Sequence, residues 1–169
     1  MPKALRVAVF WHTFPGSQDE DEVKQTQVIA SPLGIKIQLV PVRGTDEIEG
    51  AFAAMKKENA GALVIIQGSF TNFHRRQLVE LAAKNRLPTM CEQATWTEDG
   101  CLLSYGNDPH YNWSRAAIFV DKILKGAKPA DLPVEQPMKF ELVINLKTAK
   151  QLGLTIPPNV LARGDRVIK

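Results

Sequence analysis

Short apolar runs rich in β-branched residues alternate along this chain with longer segments in which apolar residues recur every three or four positions. The first kind of run predicts a buried β-strand, and the second predicts an amphipathic helix. Strands that alternate with helices are typical of a parallel sheet with helices on both faces. We therefore predict an α/β fold, a three-layer sandwich around a mainly parallel sheet. The predicted strands are Arg6 to Trp11, Ile35 to Val42, Ala62 to Gln67, Pro88 to Cys91, Leu102 to Tyr105 and Phe140 to Asn145.

Helix signals fill the segments between these strands. An acidic start predicts one helix over residues 19–30, and Thr45 is expected to cap a second helix. A third helix has its apolar stripe around Leu78. Asp108 followed by Pro109 predicts the start of a long helix that ends at Gly126. Asn145 is expected to cap a last short helix.

The composition fits one folded domain over residues 1–169, because 44% of the residues are apolar and 23% are charged. A net charge of +3, scattered among acids, gives little support for nucleic-acid binding, which needs clustered basic residues. No apolar stretch approaches the roughly 20 residues that cross a bilayer. The first residues run directly into a strand pattern and do not match a cleavable signal peptide.

The two cysteines, Cys91 and Cys101, do not form a C-x-x-C motif. A disulfide across the intervening loop is compatible with this spacing, but the sequence does not establish it. Free cysteines are among the most buried residue types. We therefore favour two ordinary buried thiols.

A ligand site is predicted at the carboxyl ends of the strands, where loops and helix N-termini converge in open parallel sheets. The loops that follow four of the strands carry aromatic and amide side chains with few charges, which suits a small and partly apolar ligand. The alternative is that the loop aromatics only cover helix ends. The predicted ligand-binding residues are Trp11, Thr13, Ser17, Gln18, Gln67, Ser69, Phe70, Glu92, Gln93 and Trp96.

No catalytic constellation is found in the sequence. The first loop lacks the glycine spacing of dinucleotide and nucleoside triphosphate sites, so no cofactor is predicted and a nucleotide-binding enzyme is disfavoured. A G-x-S-x-G nucleophile elbow is also missing. His12, His74 and His110 follow different strands and could share a zinc ion with Glu92 or Asp99. Their spacing matches no short zinc motif, so we predict no metal site.

Two strings carry a resemblance to a known family: KILKGAKPADLPVEQP at 122–137 and FELVINLKTAKQLGLTIPP at 140–158. Together with LGIKIQLVPVRGTDEIEGAFAAMKKENAGALVI at 33–65, they closely resemble the second half of substrate-binding proteins of ABC importers. These proteins have the type I periplasmic binding protein fold, and the branch includes aromatic-amino-acid binders. The resemblance covers nearly the whole chain. It implies two lobes that close on a ligand, which is then delivered to a membrane permease.

The resemblance also assigns roles to loops. The family's first ligand loop corresponds to residues 12–18, with Ser17 and Gln18 as polar contacts. Amino-acid binders carry an aspartate for the ligand ammonium in the loop that corresponds to residues 67–70, where this chain has Gly68. A buried ammonium without a counter-ion is costly. The resemblance therefore does not extend to an amino-acid ligand.

The family's first lobe has no counterpart in this chain. In the family, the helix over 109–126 packs on that lobe, so its apolar stripe from Trp113 to Leu124 is expected to be exposed here. Exposed apolar patches mark interaction surfaces. We therefore predict that this helix pairs the chain with a separate first lobe or with a second copy.

The function that the resemblance implies is a non-enzymatic one: the substrate-binding component of an ABC transporter, or its C-terminal lobe, binding a small organic solute for import. The implied location is the periplasm, or the cytoplasm if a gene this short has no export signal. The alternative is a cytoplasmic ligand-sensing regulatory module derived from the same lobe.

Overall fold

A computed structural model of the chain describes residues 6–14 and 19–169. In this part of the chain, seven strands form one sheet in the order β2-β1-β3-β4-β5-β6-β7. The strands are β1 Arg6–His12, β2 Lys36–Val42, β3 Ala62–Ile65, β4 Thr89–Cys91, β5 Leu103–Asn107, β6 Phe140–Asn145 and β7 Arg166–Ile168. The helices are α1 Asp19–Ala30, α2 Ile48–Lys57, α3 Ser69–Phe73, α4 Arg75–Lys84, α5 Ala94–Glu98, α6 Pro109–Leu124, α7 Leu146–Gln151 and α8 Pro158–Leu161.

The sheet is mainly parallel. Strands β1 to β5 run in one direction, β6 pairs antiparallel with β5, and β7 pairs parallel with β6. Strand β1 lies between β2 and β3 and pairs with β2 along its whole length and with β3 over Val7–Phe10. The predicted α/β fold is therefore confirmed, and the five parallel strands bring their carboxyl ends to one edge.

The main core lies on the sheet face that α2 and α4 cover. Alternate residues of the strands point to this face because side chains alternate along a strand. Phe10 and Leu63 meet Phe52 and Met55 of α2 and Leu78 of α4, and all five are buried. The apolar stripe predicted for each of these two helices is the stripe that packs here.

The opposite face carries a smaller core under α1. Val9, Trp11 and Ile66 pack with Val23 of α1, and all four are buried. Because these strand residues alternate with those of the main core, the sequence pattern of β1 and β3 is apolar at almost every position. That continuous pattern is what a strand covered on both faces requires.

Helix α6 begins where the sequence predicts. Its N-cap is Asp108, whose Oδ1 accepts hydrogen bonds from the backbone N–H groups of His110 (2.9 Å) and Tyr111 (3.4 Å). None of the α6 residues, all of which the structure describes, is fully buried. Trp113 is 76% exposed and Leu124 is 82% exposed. The predicted exposure of this apolar stripe is therefore present in the structure.

Several local features differ from the prediction. Strand β7 was not predicted, because three residues are too few for a periodic signal. Thr45 makes no side-chain cap and instead begins a 3₁₀ turn over Thr45–Glu47 that precedes α2. Helix α6 ends at Leu124, two residues before Gly126, which adopts a φ of 98°. Short helices α3 and α5 occupy segments that we predicted as loops.

The preference for two free thiols is wrong. Cys91, at the end of β4, and Cys101 form a disulfide, and both residues are buried. Helix α5 turns the chain back between them, and the backbone N–H of Cys101 donates to the carbonyl of Trp96 at 2.9 Å. This turn returns Cys101 to the side of β4. The pairing therefore depends on the path of α5, which the spacing of the cysteines does not reveal.

Over the ranges 6–14 and 19–169, no helix combines the length and apolarity needed to cross a membrane.

Candidate functional site

The candidate site is the edge of the sheet at which β1 to β5 end, which we call the carboxyl rim. The ladder between β1 and β3 pairs Phe10 with Ile65 and continues through the hydrogen bond from Ile66 N to the carbonyl of Phe10 (2.9 Å). The backbone N–H of Thr13 donates to the carbonyl of Val42 in β2 at 2.8 Å. These bonds hold the loops after β1, β2 and β3 side by side.

A row of rings lies along this part of the rim. The His12 ring stacks on Phe70 with 4.3 Å between centroids, and Phe70 contacts His74 at 4.6 Å. Phe14 extends the row beyond His12 (5.6 Å), and Phe73 meets the His74 ring edge-on at 5.1 Å. Phe73 is 85% exposed. The carboxyl rim therefore carries a cluster of rings, of which Phe14 and Phe73 are exposed, and aromatic side chains of this kind supply apolar area in small-molecule sites.

Hydrogen bonds fix the two imidazoles of this row. His12 Nε2 lies 3.3 Å from the carbonyl oxygen of Arg43, so this nitrogen carries the proton and donates. His74 has a partner at both nitrogens: Thr45 Oγ1 lies 3.2 Å from Nε2, and Gln77 Oε1 lies 3.2 Å from Nδ1. These bonds orient both rings against Phe70, so the row is held in place before any ligand arrives.

Hydrogen bonds within the loop after β3 satisfy several of its backbone groups. Gly68 N donates to Thr71 Oγ1 at 2.8 Å, and that hydroxyl lies 3.2 Å from the carbonyl of Ile66. Thr71 is buried, so this arrangement is sheltered from water. The side-chain amide of Gln67 is different, because neither its Nε2 nor its Oε1 has a hydrogen-bond partner in the described part of the chain, although both atoms are buried. Buried amides are normally satisfied.

Two of the predicted residues belong to the interior. Trp96 is 0% exposed, and its Nε1 donates to Asn72 Oδ1 at 2.9 Å, which ties α5 to α3. Trp11 is 7% exposed and packs in the smaller core. In this structure neither ring offers a surface to a ligand. Trp96 instead positions α3, the helix that carries Phe70, and Asn72 is a supporting residue that the sequence pattern did not reveal.

The other predicted residues lie at or near the surface. Thr13, Gln67 and Phe70 are partly buried around the loops after β1 and β3. Ser69 and Glu92 are exposed. Ser17 and Gln18 lie outside the described residues.

Gln93 lies at a second place on the rim, a cavity of about 560 Å³ between α5 and the strands β5 to β7. Its polar lining includes Gln93, Thr95, Asp108, Lys139, Glu141 and Arg166. Lys139 Nζ donates to Asp108 Oδ2 at 2.9 Å, and this hydrogen bond is the main reason that the pKa of Asp108 is lowered and that of Lys139 is raised. Arg166 in turn forms ion pairs with Glu98 and Glu141, so both basic side chains of this cavity have acidic partners within it.

The three histidines do not form one cluster. His12 and His74 share the ring row, whereas His110 lies in the first turn of α6 and lines the second cavity. Within the residues that the structure describes, no group of three or more His, Cys, Asp or Glu side chains is arranged to hold a metal ion. The contacts that His12 and His74 make on the rim are the ring contacts with Phe70 and the hydrogen bonds described above.

Solved structures with the same fold are substantially longer than this chain. The first is a conserved domain protein from Vibrio cholerae, with a TM-score of 0.86 and 24% identity, covering 99% of this chain and 56% of its own. The second is an ABC domain from Streptococcus pneumoniae in complex with L-Trp, with a TM-score of 0.85 and 26% identity, covering 98% and 57%. The third is the ligand-free, open structure of a substrate-binding protein with adhesive properties from Clostridium difficile, with a TM-score of 0.74 and 20% identity, covering 99% and 56%.

The chain thus spans a little over half the length of these similar structures. Comparison with curated protein sequences gave no match. The family model described as "ABC transporter substrate binding protein" matches residues 1–168. The chain therefore belongs to the ABC transporter substrate-binding protein family.

Proposed function

We propose that this chain is the C-terminal lobe of a type I solute-binding protein of an ABC importer and that it binds a small organic solute at its carboxyl rim. The observation that carries the proposal is the ring row beside the loop of Gln67, on the edge of the sheet where α/β lobes bind ligands. Family membership supports a binding role without catalysis.

The loops after β1 and β3 supply the contacts of the proposed site. Thr13 and Ser69 offer hydroxyl groups, Phe70 offers a ring face, and Gln67 offers an amide. Ser17, Gln18, Glu92 and Gln93 complete the proposed set from the neighbouring loops. Such a mixture of rings and a few polar groups suits a small, partly apolar molecule.

A second lobe is proposed to close over the rim and to cover α6. The similar structures contain additional chain beyond the part that matches, and the apolar stripe of α6 from Trp113 to Leu124 is exposed here. A separate first lobe is the occupant that this comparison favours, with a second copy of the chain as the alternative. The closed pair would then deliver its ligand to an ABC permease.

The periplasm is the proposed location. Family membership supports it, and so does the Cys91–Cys101 disulfide, because disulfides persist in oxidising compartments and are rare in the cytosol. A cytoplasmic ligand-sensing module of the same lobe is the alternative function. Cell fractionation distinguishes them: recovery of the oxidised protein with periplasmic markers supports import, and recovery of a reduced cytosolic protein contradicts it.

Calorimetry tests the binding function. We would screen aromatic acids, amides and amino acids, including L-Trp, against this chain and against a fusion that adds the unmatched part of the Vibrio cholerae relative. We expect measurable affinity in the fusion and weak or no affinity in the chain alone. The variant Phe70→Ala should lose binding, whereas Leu33→Ala, which removes an exposed apolar side chain that precedes β2 and lies outside the row, should retain it. Absence of binding by the fusion to every solute would contradict the proposal.

A further inference from the structure

The side-chain amide of Gln67 is a polar group of the rim that the described residues leave unpaired. Both of its polar atoms are buried and without a partner in the described part of the chain. The residue as a whole is only partly buried, so its amide lies just beneath the surface of the rim. A buried amide without hydrogen bonds is unfavourable, so each unpaired group of this kind in a native protein calls for a specific explanation.

The backbone on both sides of Gln67 is already satisfied. Ile66 N donates to the carbonyl of Phe10 at 2.9 Å, and Gly68 N donates to Thr71 Oγ1 at 2.8 Å. The hydroxyl of Thr71 also lies within hydrogen-bond distance of the carbonyls of Ile66 and Gly68. The side chain of Gln67 therefore adds to this loop a donor and an acceptor that no described residue satisfies.

The chemistry of an amide limits what can satisfy it. Nε2 donates and needs an acceptor, whereas Oε1 accepts and needs a donor. A carboxylate has acceptors alone and leaves Oε1 unpaired, and an ammonium has donors alone and leaves Nε2 unpaired. A primary carboxamide or a cyclic amide carries a donor next to an acceptor and pairs with both atoms at once.

We infer that the ligand of this rim presents a carboxamide or lactam edge to Gln67, with its apolar part on the ring row of His12, Phe70 and His74. The inference rests on the proposed function and names the chemical class of the solute. It excludes solutes whose only polar group near Gln67 is a carboxylate or an ammonium.

A matched ligand series tests the inference on the fusion of the calorimetric screen, for which measurable affinity is expected. Phenylacetamide, phenylacetate and phenethylamine share a ring and a methylene group and differ in the polar group. Each would be titrated to millimolar concentration against the fusion labelled with ¹⁵N at glutamine, with the side-chain NH₂ signal of Gln67 as the readout. We expect phenylacetamide to bind at least about tenfold more tightly than the other two, because they leave a buried polar atom unpaired, and to shift the Gln67 signal most.

Two variants separate hydrogen bonding from size. Gln67→Glu keeps the shape of the side chain but replaces its donor with an acceptor. The affinity for phenylacetamide should therefore fall about tenfold, and the affinity for phenethylamine should rise. Gln67→Met removes both polar atoms and should abolish the preference among the three. The control Gln151→Glu makes the same chemical change on an exposed position of α7 and should leave all three affinities unchanged.

The possible outcomes distinguish the inference from the function on which it rests. Tighter binding of phenylacetate or phenethylamine than of the amide in the fusion without substitutions overturns the inference and leaves solute binding intact. An amide preference that survives Gln67→Met has the same consequence, since another group would be responsible. Failure of all three ligands at millimolar concentration, together with failure of the calorimetric screen of the fusion, overturns the proposed function as well.

Discussion

Lys139 and Asp108 are joined twice: the side chains by a 2.9 Å bond from Nζ to Oδ2, and the backbones by a 3.0 Å bond from Asp108 N to the carbonyl of Lys139. Asp108 caps the start of α6, and Lys139 immediately precedes β6. The pair therefore ties the segment that enters α6 to the segment that returns from it.

The first prediction concerns the charge of this pair. Asp108→Asn retains a capping side chain but loses the ion pair. Because Lys139 lowers the pKa of Asp108, the pair contributes stability at neutral pH that is lost as the pH falls through the folded-state pKa, below about pH 4. The pKa of Lys139 is raised by the same hydrogen bond, so the contribution of the pair to stability is also lost as the pH rises through the folded-state pKa of Lys139.

Urea unfolding at a series of pH values checks this prediction. The native chain should be more stable than Asp108→Asn at neutral pH, and the difference should shrink in acid and in strong base. Asp131→Asn is the control, since Asp131 has no ion pair within the described residues. A stability difference that is constant across pH would show that the charge of Asp108 makes no contribution.

The second prediction concerns the disulfide. The Cys91–Cys101 bond joins residues ten positions apart and closes a loop that contains Gln93 and the whole of α5, including Trp96. A cross-link of this kind reduces the conformational entropy of the unfolded chain. Its loss should lower the free energy of unfolding by about 2–3 kcal/mol. Urea unfolding with and without a reductant measures the loss.

A double variant, Cys91→Ala with Cys101→Ala, is the matched control for the reductant. It should have reduced stability without any further response to the reductant. Thiol titration of the native chain under denaturing, non-reducing conditions should detect no free thiol. Two free thiols under those conditions would contradict the pairing.

The third prediction concerns Gly106 in β5. A Cβ atom at this position would collide with the backbone carbonyl of Glu92, so Gly106→Ala must displace the backbone at the rim. We expect a loss of about 1–3 kcal/mol in the free energy of unfolding, the usual cost of a forced steric shift. The crowding atom belongs to the backbone and cannot move away by changing a rotamer.

Gly50→Ala provides the comparison for this glycine. Gly50 lies in α2, where an added Cβ meets no heavy atom within 4 Å. Alanine there should stabilise the chain by about 0.5–1 kcal/mol, because it favours the helix over the unfolded chain. Chemical denaturation of both variants checks the opposite signs, and equal effects would refute the steric explanation for Gly106.

The fourth prediction concerns the exposed stripe of α6. Trp113→Glu combined with Leu124→Glu places charges on side chains that are 76% and 82% exposed, so the fold of the lobe should remain intact. Association of the chain with itself or with a first lobe should fall by at least about tenfold, because the charges would be desolvated in the interface. Light scattering at micromolar concentration measures the association.

The control for α6 is Lys150→Glu, an exposed change on α7 that should leave association unaffected. Circular dichroism should show the same helix content for both variants. A native chain that stays strictly monomeric, and that also fails to bind an added first lobe, would argue against α6 as an interface.

The sequence by itself determined the features that depend on neighbouring residues. The capping side chains of Asp108 and Asn145 act within three residues of their own positions, so the starts of α6 and α7 could be predicted. The continuous apolar pattern of β1 and β3 likewise predicts burial on both faces. These signals are local because they arise from backbone geometry and from the two periods of side-chain direction.

Only the tertiary structure decided which residues meet across the fold. Trp96 and Phe70 look equally suited to a ligand in the sequence, but Trp96 is buried against Asn72 while Phe70 lies in the ring row. The bond between Lys139 and Asp108 and the pairing of Cys91 with Cys101 likewise depend on the path of the chain. The physical reason is that burial and long-range pairing follow from how helices and strands pack, which no local pattern encodes.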